Sequence, residues 1–429
     1  MREGWLERSG VRLHYLEWQP DGEPREPALF LLHGLSSNTL VWGRLAARLP
    51  GRRIVALDQR SHGPSDRPEE GYGSDEIVGD AAEAIEQLGL GRPLVVGHSW
   101  GASVALELAA TRPDLASGLV FVDGPPSPIN RVMSWEEASE RMQPPFPIYT
   151  GLDQAVEAQR RYLGDEAWGD DLRDFVRAGL TEVEGGLTST LNVPVRRQIL
   201  EHMFHFDPLA DFARVEGPVL LAMAALLWPG APPEFEEGRR RAVEEVVGNL
   251  PDVQVRWYDS RHDIPLFRPA ELAVDMERTA LAAELASLAR EAAALDRDWR
   301  RPVHGDGEGW EAHDLLAHLA STQSSLSAVV TEEPRAPDGG GGGRPFDPDR
   351  WNASQVSRRR DRSPAELRSE LQKGSATLHA ALMGVDLDRP VAIGPFAGRP
   401  VREVMELMAA HQRAHLEVLQ RALPATPPD

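Results

Sequence analysis

The sequence of 429 residues contains no cysteine and only one lysine, Lys373. Without cysteine the chain can form no disulfide, thiolate-ligated zinc site, iron–sulfur cluster or thiol nucleophile. Because the one lysine stands at position 373, the chain before it can hold neither a Schiff-base lysine nor a phosphate-loop lysine. The 67 acidic residues outnumber the 46 basic ones, and the net charge of −21 argues against general binding to nucleic acids or anionic membranes.

Long apolar segments are also missing from the sequence. No run of about 18 apolar residues is available to cross a bilayer, and residues 1–5 contain no apolar signal core. We therefore expect a soluble, cytoplasmic protein that does not insert into membranes. At roughly 150 residues per domain, the length predicts two to three domains.

Short apolar runs alternate with helix-like segments through the first part of the chain. This β-α repetition predicts an α/β fold with a mostly parallel sheet and helices on both faces. In such sheets the functional residues lie beyond the carboxyl ends of the strands, and the residues found there are His33, Gly34, Asp58, Ser99 and Asp123. The predicted strands are 11–18, 28–32, 53–57, 94–96, 119–122, 219–223 and 253–258, and the predicted helices among them are 74–88, 102–110 and 235–247.

Breaks in this pattern predict the domain organisation. The α/β core comprises residues 1–126 and 215–272, and residues 127–214, predicted to be helical without strands, form a cap over the strand ends. After the core the strand pattern stops, and residues 273–423 have the periodicity of an antiparallel four-helix bundle. We expect a flexible loop at the five glycines of 339–343 and a disordered tail at 424–429.

Ser99 is the predicted nucleophile of the α/β core. Residues 97–101 fit the G-x-S-x-G pattern, with a predicted strand before them and a predicted helix after them. A sharp turn at this point lets the serine hydroxyl project clear of the backbone, and Gly97 and Gly101 leave room for it. A serine at this position predicts nucleophilic catalysis, which needs a base, an acid and an oxyanion hole.

The oxyanion hole and the base follow from the positions of the strand ends. The backbone N–H groups of Leu35 and Trp100 are the predicted oxyanion donors. The base should come after the last strand, and among the 13 histidines His262 combines that position with the expected chain order.

The carboxylate that would orient His262 is predicted after an uncommon strand. The usual position, after the strand at 219–223, has no carboxylate before Glu234. The turn at Ser99, called the nucleophile elbow, leads into the predicted helix 102–110, and Asp123 ends the strand that follows this helix. From that neighbouring strand end Asp123 can reach the same histidine. A carboxylate there would fix the tautomer of His262 and stabilise its imidazolium form.

These motifs together resemble the α/β-hydrolase superfamily over about residues 1–270. The stretches that carry the resemblance are 32–38, 57–66, 96–101, 119–124 and 262–265. The resemblance implies a triad of Ser99, His262 and Asp123 and a hydrolase that needs no cofactor. Serine at the elbow argues against the haloalkane dehalogenases and epoxide hydrolases of this fold, which use aspartate.

The remaining reactions of the superfamily are hydrolysis of esters, thioesters, lactones or amides, with carbon–carbon bond hydrolysis and cofactor-free perhydrolysis as further uses. We favour a serine esterase that cleaves a small-molecule carboxylic ester through an acyl-enzyme. The cap, together with Trp100, is expected to supply an apolar substrate pocket. Its predicted lining residues are Trp135, Met142, Phe146 and Tyr149.

Three histidines of the predicted bundle form a candidate metal site. His411 and His415 are spaced i, i+4 and therefore share a helix face, and His318 lies on an earlier helix. Three neutral imidazoles could hold a divalent ion with an open position. We expect His304, His313 and His379 to be ordinary surface residues.

The surrounding segments 309–319 and 400–415 resemble the DinB-like bundles, including the N-terminal domain of maleylpyruvate isomerase. The resemblance covers about residues 275–423 and implies metal binding, with zinc, nickel or manganese as candidate ions, by His318, His411 and His415. Many relatives of this kind use low-molecular-weight thiols as co-substrates. A metal- and thiol-dependent transferase or isomerase in the bundle is therefore an alternative function. A ligand receptor that retains the triad is another, and the bundle could also form a homodimer.

Overall fold

The computed structural model describes residues 1–124, 128–131, 133–143, 146–227, 233–295, 299–303, 309–332 and 347–423. The predicted glycine-rich loop at 339–343, the predicted tail at 424–429 and His304 lie outside these residues. The chain divides into two compact units, Met1–Glu277 and Arg278–Asp429. None of the described helices combines the length and the hydropathy that a bilayer-spanning segment needs.

The first unit is built on a mixed, mostly parallel sheet of eight strands in the order β1-β2-β4-β3-β5-β6-β9-β10. Pairing is antiparallel between β1 and β2 and between β2 and β4, and parallel in the other pairs. The strands, with a separate hairpin formed by β7 and β8, are β1 (Arg2–Arg8), β2 (Val11–Trp18), β3 (Arg25–Leu32), β4 (Arg52–Leu57), β5 (Leu94–His98), β6 (Gly118–Val122), β7 (Leu180–Val183), β8 (Gly186–Ser189), β9 (Val219–Ala224) and β10 (Val253–Tyr258).

Helices connect and cover these strands, and further helices make up the second unit. In chain order they are α1 (Gly43–Ala46), α2 (Ser74–Gln87), α3 (Trp100–Thr111), α4 (Trp135–Arg141), α5 (Leu152–Leu163), α6 (Leu172–Ala178), α7 (Val193–His205), α8 (Pro208–Phe212), α9 (Pro233–Asn249), α10 (Ile264–Phe267), α11 (Pro269–Ala294), α12 (Ala312–Thr331), α13 (Pro348–Ser357), α14 (Pro364–Met383) and α15 (Val401–Ala422).

The predicted fold class of the first unit is confirmed. The inner strands β5, β6 and β9 are buried along their whole length. They therefore read as continuous apolar runs in the sequence, as parallel strands covered on both faces do. Their carboxyl ends lie side by side at one edge of the sheet, and this edge brings together the residues that follow each strand.

The segment between β6 and β9 differs from its prediction in one respect. It contains the expected helices α4 to α8, but the expectation that it lacks strands is wrong, because β7 and β8 pair as an antiparallel hairpin. The hairpin turns at Gly185 and Gly186, both at positive φ. Its strands have four residues each and are half-buried or exposed, so they lack the apolar alternation that identifies a strand in a sequence.

The second unit is helical and has its own apolar core. Helices α12, α14 and α15 and the second half of α11 supply the core residues, and the short helix α13 is added to the predicted bundle. Helix α14 begins with a capping box, in which Ser363 accepts from the N–H of Glu366 while the carboxylate of Glu366 accepts from the N–H of Ser363. A core of this kind is typical of helical bundles.

Candidate active site and candidate metal centre

Ser99 lies in the turn between β5 and α3, with backbone angles φ 53° and ψ −117°. This positive φ is rare for a residue with a side chain and stores strain in the turn. The turn needs glycine on both sides, since a Cβ at Gly97 would lie 2.2 Å from the carbonyl oxygen of Gly101. A Cβ at Gly101 would lie 2.3 Å from the carbonyl oxygen of Leu32. The sequence folds here as the elbow pattern predicts, with Ser99 half-buried at its tip.

The loop after β3 passes directly beside this turn. A Cβ at Gly34 would lie 3.2 Å from the Cβ of Ser99, so the next residue, Leu35, is close to the serine. Neither the N–H of Leu35 nor that of Trp100 donates a hydrogen bond to another described residue. Trp100 is the first residue of α3, where the N–H groups of a helix have no intrahelical acceptor. Neither predicted oxyanion donor is therefore occupied by an acceptor among the described residues, and their role stays a prediction.

Two buried neutral histidines support this loop. His62 Nε2 accepts from the N–H of Ser36 at 3.1 Å while its Nδ1–H donates to the carbonyl of Arg60. His33 Nδ1–H donates to the carbonyl of Gly34 at 2.8 Å. Burial lowers the pKa of His33 to about 3 and that of His62 to about 4, so both stay uncharged at neutral pH.

His262 and Asp123 form the clearest pair in this part of the structure. His262 follows β10, Asp123 follows β6, and the Nδ1–H of the imidazole donates to Oδ2 of the carboxylate at 2.7 Å. The Asp123 side chain is 9% exposed, whereas that of His262 is 45% exposed. This arrangement fixes the tautomer of His262 and leaves Nε2 free of the proton.

The second carboxylate oxygen of Asp123 has two partners of its own. Oδ1 accepts from the N–H of Ala224 at 3.0 Å and from the guanidinium of Arg239, which lies on α9. Ala224 ends β9, so the carboxylate reaches across to the strand end that usually carries the acid. A carboxylate that follows β6 can thus contact the end of β9 and His262 at the same time.

The electrostatics of the pair have opposing contributions. Burial alone would raise the pKa of Asp123, but the hydrogen bond from His262 and the charges of His262 and Arg239 hold it below its ordinary value. Desolvation alone would lower the pKa of His262, but the hydrogen bond and charge of Asp123 outweigh it, so that pKa is raised. Arg239 opposes this rise through its positive charge.

His98, next to the nucleophile, holds the loop that carries His262. Its Nε2–H donates to the backbone carbonyl of His262 at 3.0 Å, and the two rings lie 4.8 Å apart between centroids. Among the described residues no hydrogen bond joins the hydroxyl of Ser99 to His262. Such bonds are often long before substrate binds, so this geometry is compatible with a serine–histidine pair.

The sequence did not predict the contact of Arg239 with Asp123 or the hydrogen bond from His98 to the loop of His262. Arg239 belongs to a run of three arginines on a surface helix, where its neighbour Arg240 pairs with Glu236. Nothing in the local sequence distinguishes the arginine that turns toward Asp123 from the ones that face solvent. The signal for His98 was its place beside Ser99, but its partner is 164 positions away in the chain.

The predicted pocket residues of the cap are half-buried, but their described contacts lie within the cap. Trp135 packs edge-on against Phe204 at 5.4 Å between ring centroids. Tyr149 pairs through its backbone with Leu187 of β8. The carbonyl of Met142 accepts a hydrogen bond at 2.8 Å from Arg196 of α7. None of these contacts involves Ser99, and the lining of the pocket by these residues and Phe146 stays a prediction.

The second unit brings together the three predicted metal ligands. Nε2 of His318 lies 3.0 Å from Nε2 of His411, and one nitrogen from each of His318, His411 and His415 falls within 4.8 Å of the others. Two nitrogens bound to one zinc ion at about 2.0–2.1 Å in tetrahedral geometry would be about 3.3 Å apart. Burial and the neighbouring histidines lower the pKa of His318 to about 3, which keeps it neutral as a ligand must be. The donor set therefore fits a divalent ion.

The expectation that His379 is a surface residue is wrong. His379 is fully buried on α14. The core around it also contains a polar link in which Gln412 donates to Gln323 at 2.7 Å and Gln323 donates to Ser375 at 3.2 Å. The local sequence does not predict whether a helical histidine is buried, because apolar residues at i±3 and i±4 occur on both buried and boundary faces.

The comparisons with known proteins agree with this architecture. Residues 29–276, more than half of the chain, match the Alpha/beta hydrolase family, and the chain belongs to that family. Residues 281–415 match the Mycothiol maleylpyruvate isomerase N-terminal domain, which is a DinB-like bundle. The chain thus joins an α/β hydrolase to a helical domain of a metal-associated family.

Individual relatives match the hydrolase part. A 2-(acetamidomethylene)succinate hydrolase from Mesorhizobium japonicum is 34% identical over 196 residues, which are 46% of this chain and 69% of the relative. An sn-1-specific diacylglycerol lipase from Mus musculus is 28% identical over 239 residues, 54% of this chain and 76% of the relative. The crystal structure of E-2-(acetamidomethylene)succinate hydrolase covers 65% of this chain and 98% of its own, with 23% identity and a TM-score of 0.53, which supports the fold.

Proposed function

We propose that the first unit is a serine hydrolase that cleaves small carboxylic esters through an acyl-enzyme, with Ser99, His262 and Asp123 as its triad. The observation that carries the proposal is the 2.7 Å hydrogen bond between His262 and Asp123 beside the strained turn of Ser99. Lactones and thioesters are further substrates that the same chemistry could cleave. One relative is named for hydrolysis of a succinate derivative and another for hydrolysis of a lipid, and we take from them only the reaction class.

The chemistry would begin with attack on the substrate carbonyl carbon. As the Ser99 oxygen bonds to that carbon, its proton passes to Nε2 of His262, and the carbonyl oxygen becomes an oxyanion. The N–H groups of Leu35 and Trp100 would donate to that oxyanion, and loss of one such donor typically costs about 10²–10³ in rate. Asp123 stabilises the imidazolium through Nδ1–H, which matches the raised pKa of His262.

The intermediate would then collapse by breaking the bond to the leaving alcohol. His262 gives its proton to the departing oxygen and is neutral again, which leaves Ser99 esterified by the acyl group. A water molecule repeats the cycle, giving one proton to His262 while its oxygen attacks the acyl carbon. The free acid leaves, and Ser99 recovers its proton from His262.

A fluorophosphonate probe tests the nucleophile directly. Wild-type protein should be labelled on Ser99 and should hydrolyse p-nitrophenyl esters, whereas the Ser99→Ala variant should do neither. Ser103→Ala is the matched control and should keep both the labelling and the turnover. Ser103 is a buried serine on the same helix α3, but it lies outside the turn. Absence of labelling in folded wild-type protein, or labelling that survives in Ser99→Ala, would contradict the proposal.

The three clustered imidazoles favour a second candidate function in the bundle. His318, His411 and His415 would hold a divalent ion, and the ion would supply Lewis-acid polarisation when bound. A metal- and thiol-dependent transferase or isomerase activity could use such a site. Elemental analysis of metal-replete protein should give one ion per chain, lost in His411→Ala and kept in His313→Ala, which alters a histidine outside the cluster. No ion in the wild type, or equal metal contents in both variants, would exclude this candidate.

A further inference from the structure

Arg196 is a buried cation of the cap with an unusual set of partners. Its side chain lies on the inner face of α7, and the residue is 7% exposed. Nε donates to the carbonyl of Met142 at 2.8 Å, and one terminal nitrogen donates to the hydroxyl of Ser36. Both partners are neutral, and no carboxylate contacts the guanidinium among the described residues.

Other buried arginines of the same unit are neutralised. Arg52 makes two hydrogen bonds to the carboxylate of Glu277, and Arg60 makes two to that of Asp80. This is the usual solution, because an unpaired charge in the interior is costly.

The guanidinium remains charged and has donors to spare. Burial lowers the pKa of Arg196 to about 10, which still leaves it protonated at neutral pH. A guanidinium has five N–H donors in a planar fork, and the two described hydrogen bonds leave most of them for a ligand. Planar forks of this kind match the geometry of a carboxylate.

The position of Arg196 relates it to the chemistry. Ser36 directly follows Leu35, whose N–H is the proposed oxyanion donor, and consecutive Cα atoms are about 3.8 Å apart. The N–H of Ser36 donates to His62, whose ring lies 5.4 Å from that of Trp100, the other proposed donor. Ser36 itself is exposed, so one of the two partners of Arg196 lies at the surface of the loop.

We propose that Arg196 binds a free carboxylate of the substrate, so that the enzyme prefers monoesters of short dicarboxylic acids. This inference rests on the proposed esterase function. One carboxyl group of the diacid would be the ester that Ser99 attacks, and the other would accept hydrogen bonds from the guanidinium beside Ser36. Because Ser36 directly follows Leu35 in the chain, we expect only a few carbons between the two groups.

Two matched substrates test the preference. Monomethyl glutarate carries one free carboxylate, and dimethyl glutarate is its neutral counterpart with the same carbon chain. The wild type should hydrolyse the monoester with a kcat/KM about 10- to 100-fold above that for the diester, because a hydrogen bond to a charged group contributes about 1.5–3 kcal/mol. In Arg196→Gln this ratio should fall to about one, through a higher KM for the monoester and little change for the diester.

Arg197→Gln is the matched control. Arg197 is the next residue of the same helix, is exposed and faces the ring of Trp135 at 5.8 Å. Its replacement should leave the substrate ratio unchanged. Free glutarate should inhibit the wild type competitively, and its inhibition constant should rise in Arg196→Gln by a factor similar to that of the KM.

The outcomes separate this inference from the esterase function. Failure of fluorophosphonate to label Ser99 would remove both. Labelling with turnover of the diester, but without preference for the monoester, would overturn the role of Arg196 alone. Equal losses for both esters in folded Arg196→Gln would show that Arg196 only ties Ser36 to the cap. If Arg196→Gln does not fold, Arg196→Met keeps an unbranched side chain without the charge, and an unchanged ratio in that variant would likewise contradict the inference.

Discussion

At the scale of the residue, the carboxylate of Asp123 sets the orientation and the pKa of His262 in the proposed triad. It touches three elements at once, because it contacts His262 after β10, Ala224 at the end of β9 and Arg239 on α9. The charges around it act on His262 in opposite directions. Asp123 raises the pKa of the imidazole and Arg239 lowers it. The pH dependence of activity should therefore move in opposite directions when each is removed.

Replacing Asp123 by asparagine should reduce kcat by about four orders of magnitude, as loss of the acid does in serine proteases with this triad. The base must be neutral to accept a proton, so activity falls as pH drops through the pKa of His262. Without the hydrogen bond and charge of Asp123 that pKa falls. The acid limb of the residual kcat/KM profile should therefore shift to lower pH. Near-wild-type turnover would assign the acid role to another residue.

Replacing Arg239 by glutamine should shift the acid limb in the other direction. Removal of a positive charge raises the pKa of His262, so the limb of the kcat/KM profile should begin at higher pH. We expect a loss in kcat of about tenfold, since one charged hydrogen bond to the acid is removed. Arg240→Gln is the control, because Arg240 is the exposed neighbour and pairs with Glu236. A limb that moves equally in both variants would argue against a role for Arg239 in positioning the acid.

The sequence predicted Ser99 from the G-x-S-x-G pattern, and it predicted His262 and Asp123 because each comes after a predicted strand, which places it at one edge of a parallel sheet. It could not predict Arg239 or Arg196, because each lies on a helix with arginine at the next position. Which of the two arginines turns inward depends on how the helix packs, and that is a tertiary property. For the same reason the burial of His379 was not predicted.

At the scale of the element, the loops after β3, β4 and β5 are held by buried histidines that carry no charge. His33, His62 and His98 are all buried, and burial lowers their pKa values to about 3, 4 and 4. The strands that lead into these loops were predictable from their apolar runs. Strand β1 and the hairpin of β7 and β8 were not, because they are short or largely exposed and show little apolar alternation.

These three histidines predict acid sensitivity of the hydrolase unit. An unfolded histidine binds a proton below about pH 6.5, whereas the folded ones stay neutral down to about pH 3–4, so unfolding takes up protons between these values. Stability should therefore fall with decreasing pH by about 1.4 kcal/mol per unit for each histidine. The pKa of His262 is raised in the folded state, so His262 affects the pH dependence of stability above about pH 6.5, outside the range in which the three buried histidines act.

Hydrogen exchange of peptides from β5 and β6, measured in urea at pH 6 and pH 5, would give this slope. In His62→Gln the slope should be smaller by about 1.4 kcal/mol per pH unit. His205→Gln, which alters an exposed histidine of α7, should leave it unchanged. A slope that is the same in wild type and His62→Gln would contradict this source of acid sensitivity.

At the scale of the whole molecule, two units with separate apolar cores hold two candidate sites of different composition. The absence of cysteine affects both. In the first unit it excludes a thiol nucleophile, which leaves serine as the proposed one, and in the second it excludes thiolate ligands for a metal. The bundle was predictable from its periodicity and its helix caps, and the cluster of His318, His411 and His415 was predicted from the i, i+4 spacing of two of them together with the resemblance to DinB-like bundles.

Metal binding should stabilise the second unit. A ligand at a free concentration of about 100 times its Kd adds about 2.7 kcal/mol to the stability of the state that binds it. Zinc or nickel should therefore raise the temperature at which this unit unfolds in calorimetry, and a chelator should reverse the effect. The shift should vanish in His411→Ala and persist in His313→Ala. A shift of equal size in both would place the ion elsewhere.

The positive φ angles around the active edge affect how this enzyme could change over time. Ser36, Ser99 and Asp123 have φ values of 64°, 53° and 47°, and each strained residue costs about 1–3 kcal/mol. Glycine at any of these positions would relieve the strain, so selection for stability and selection for turnover act against each other there. In a lineage released from selection for hydrolysis, we expect glycine to appear at these three positions first. The presence of glycine or of a side chain at these positions in a related sequence would then indicate whether that protein had remained under selection for hydrolysis.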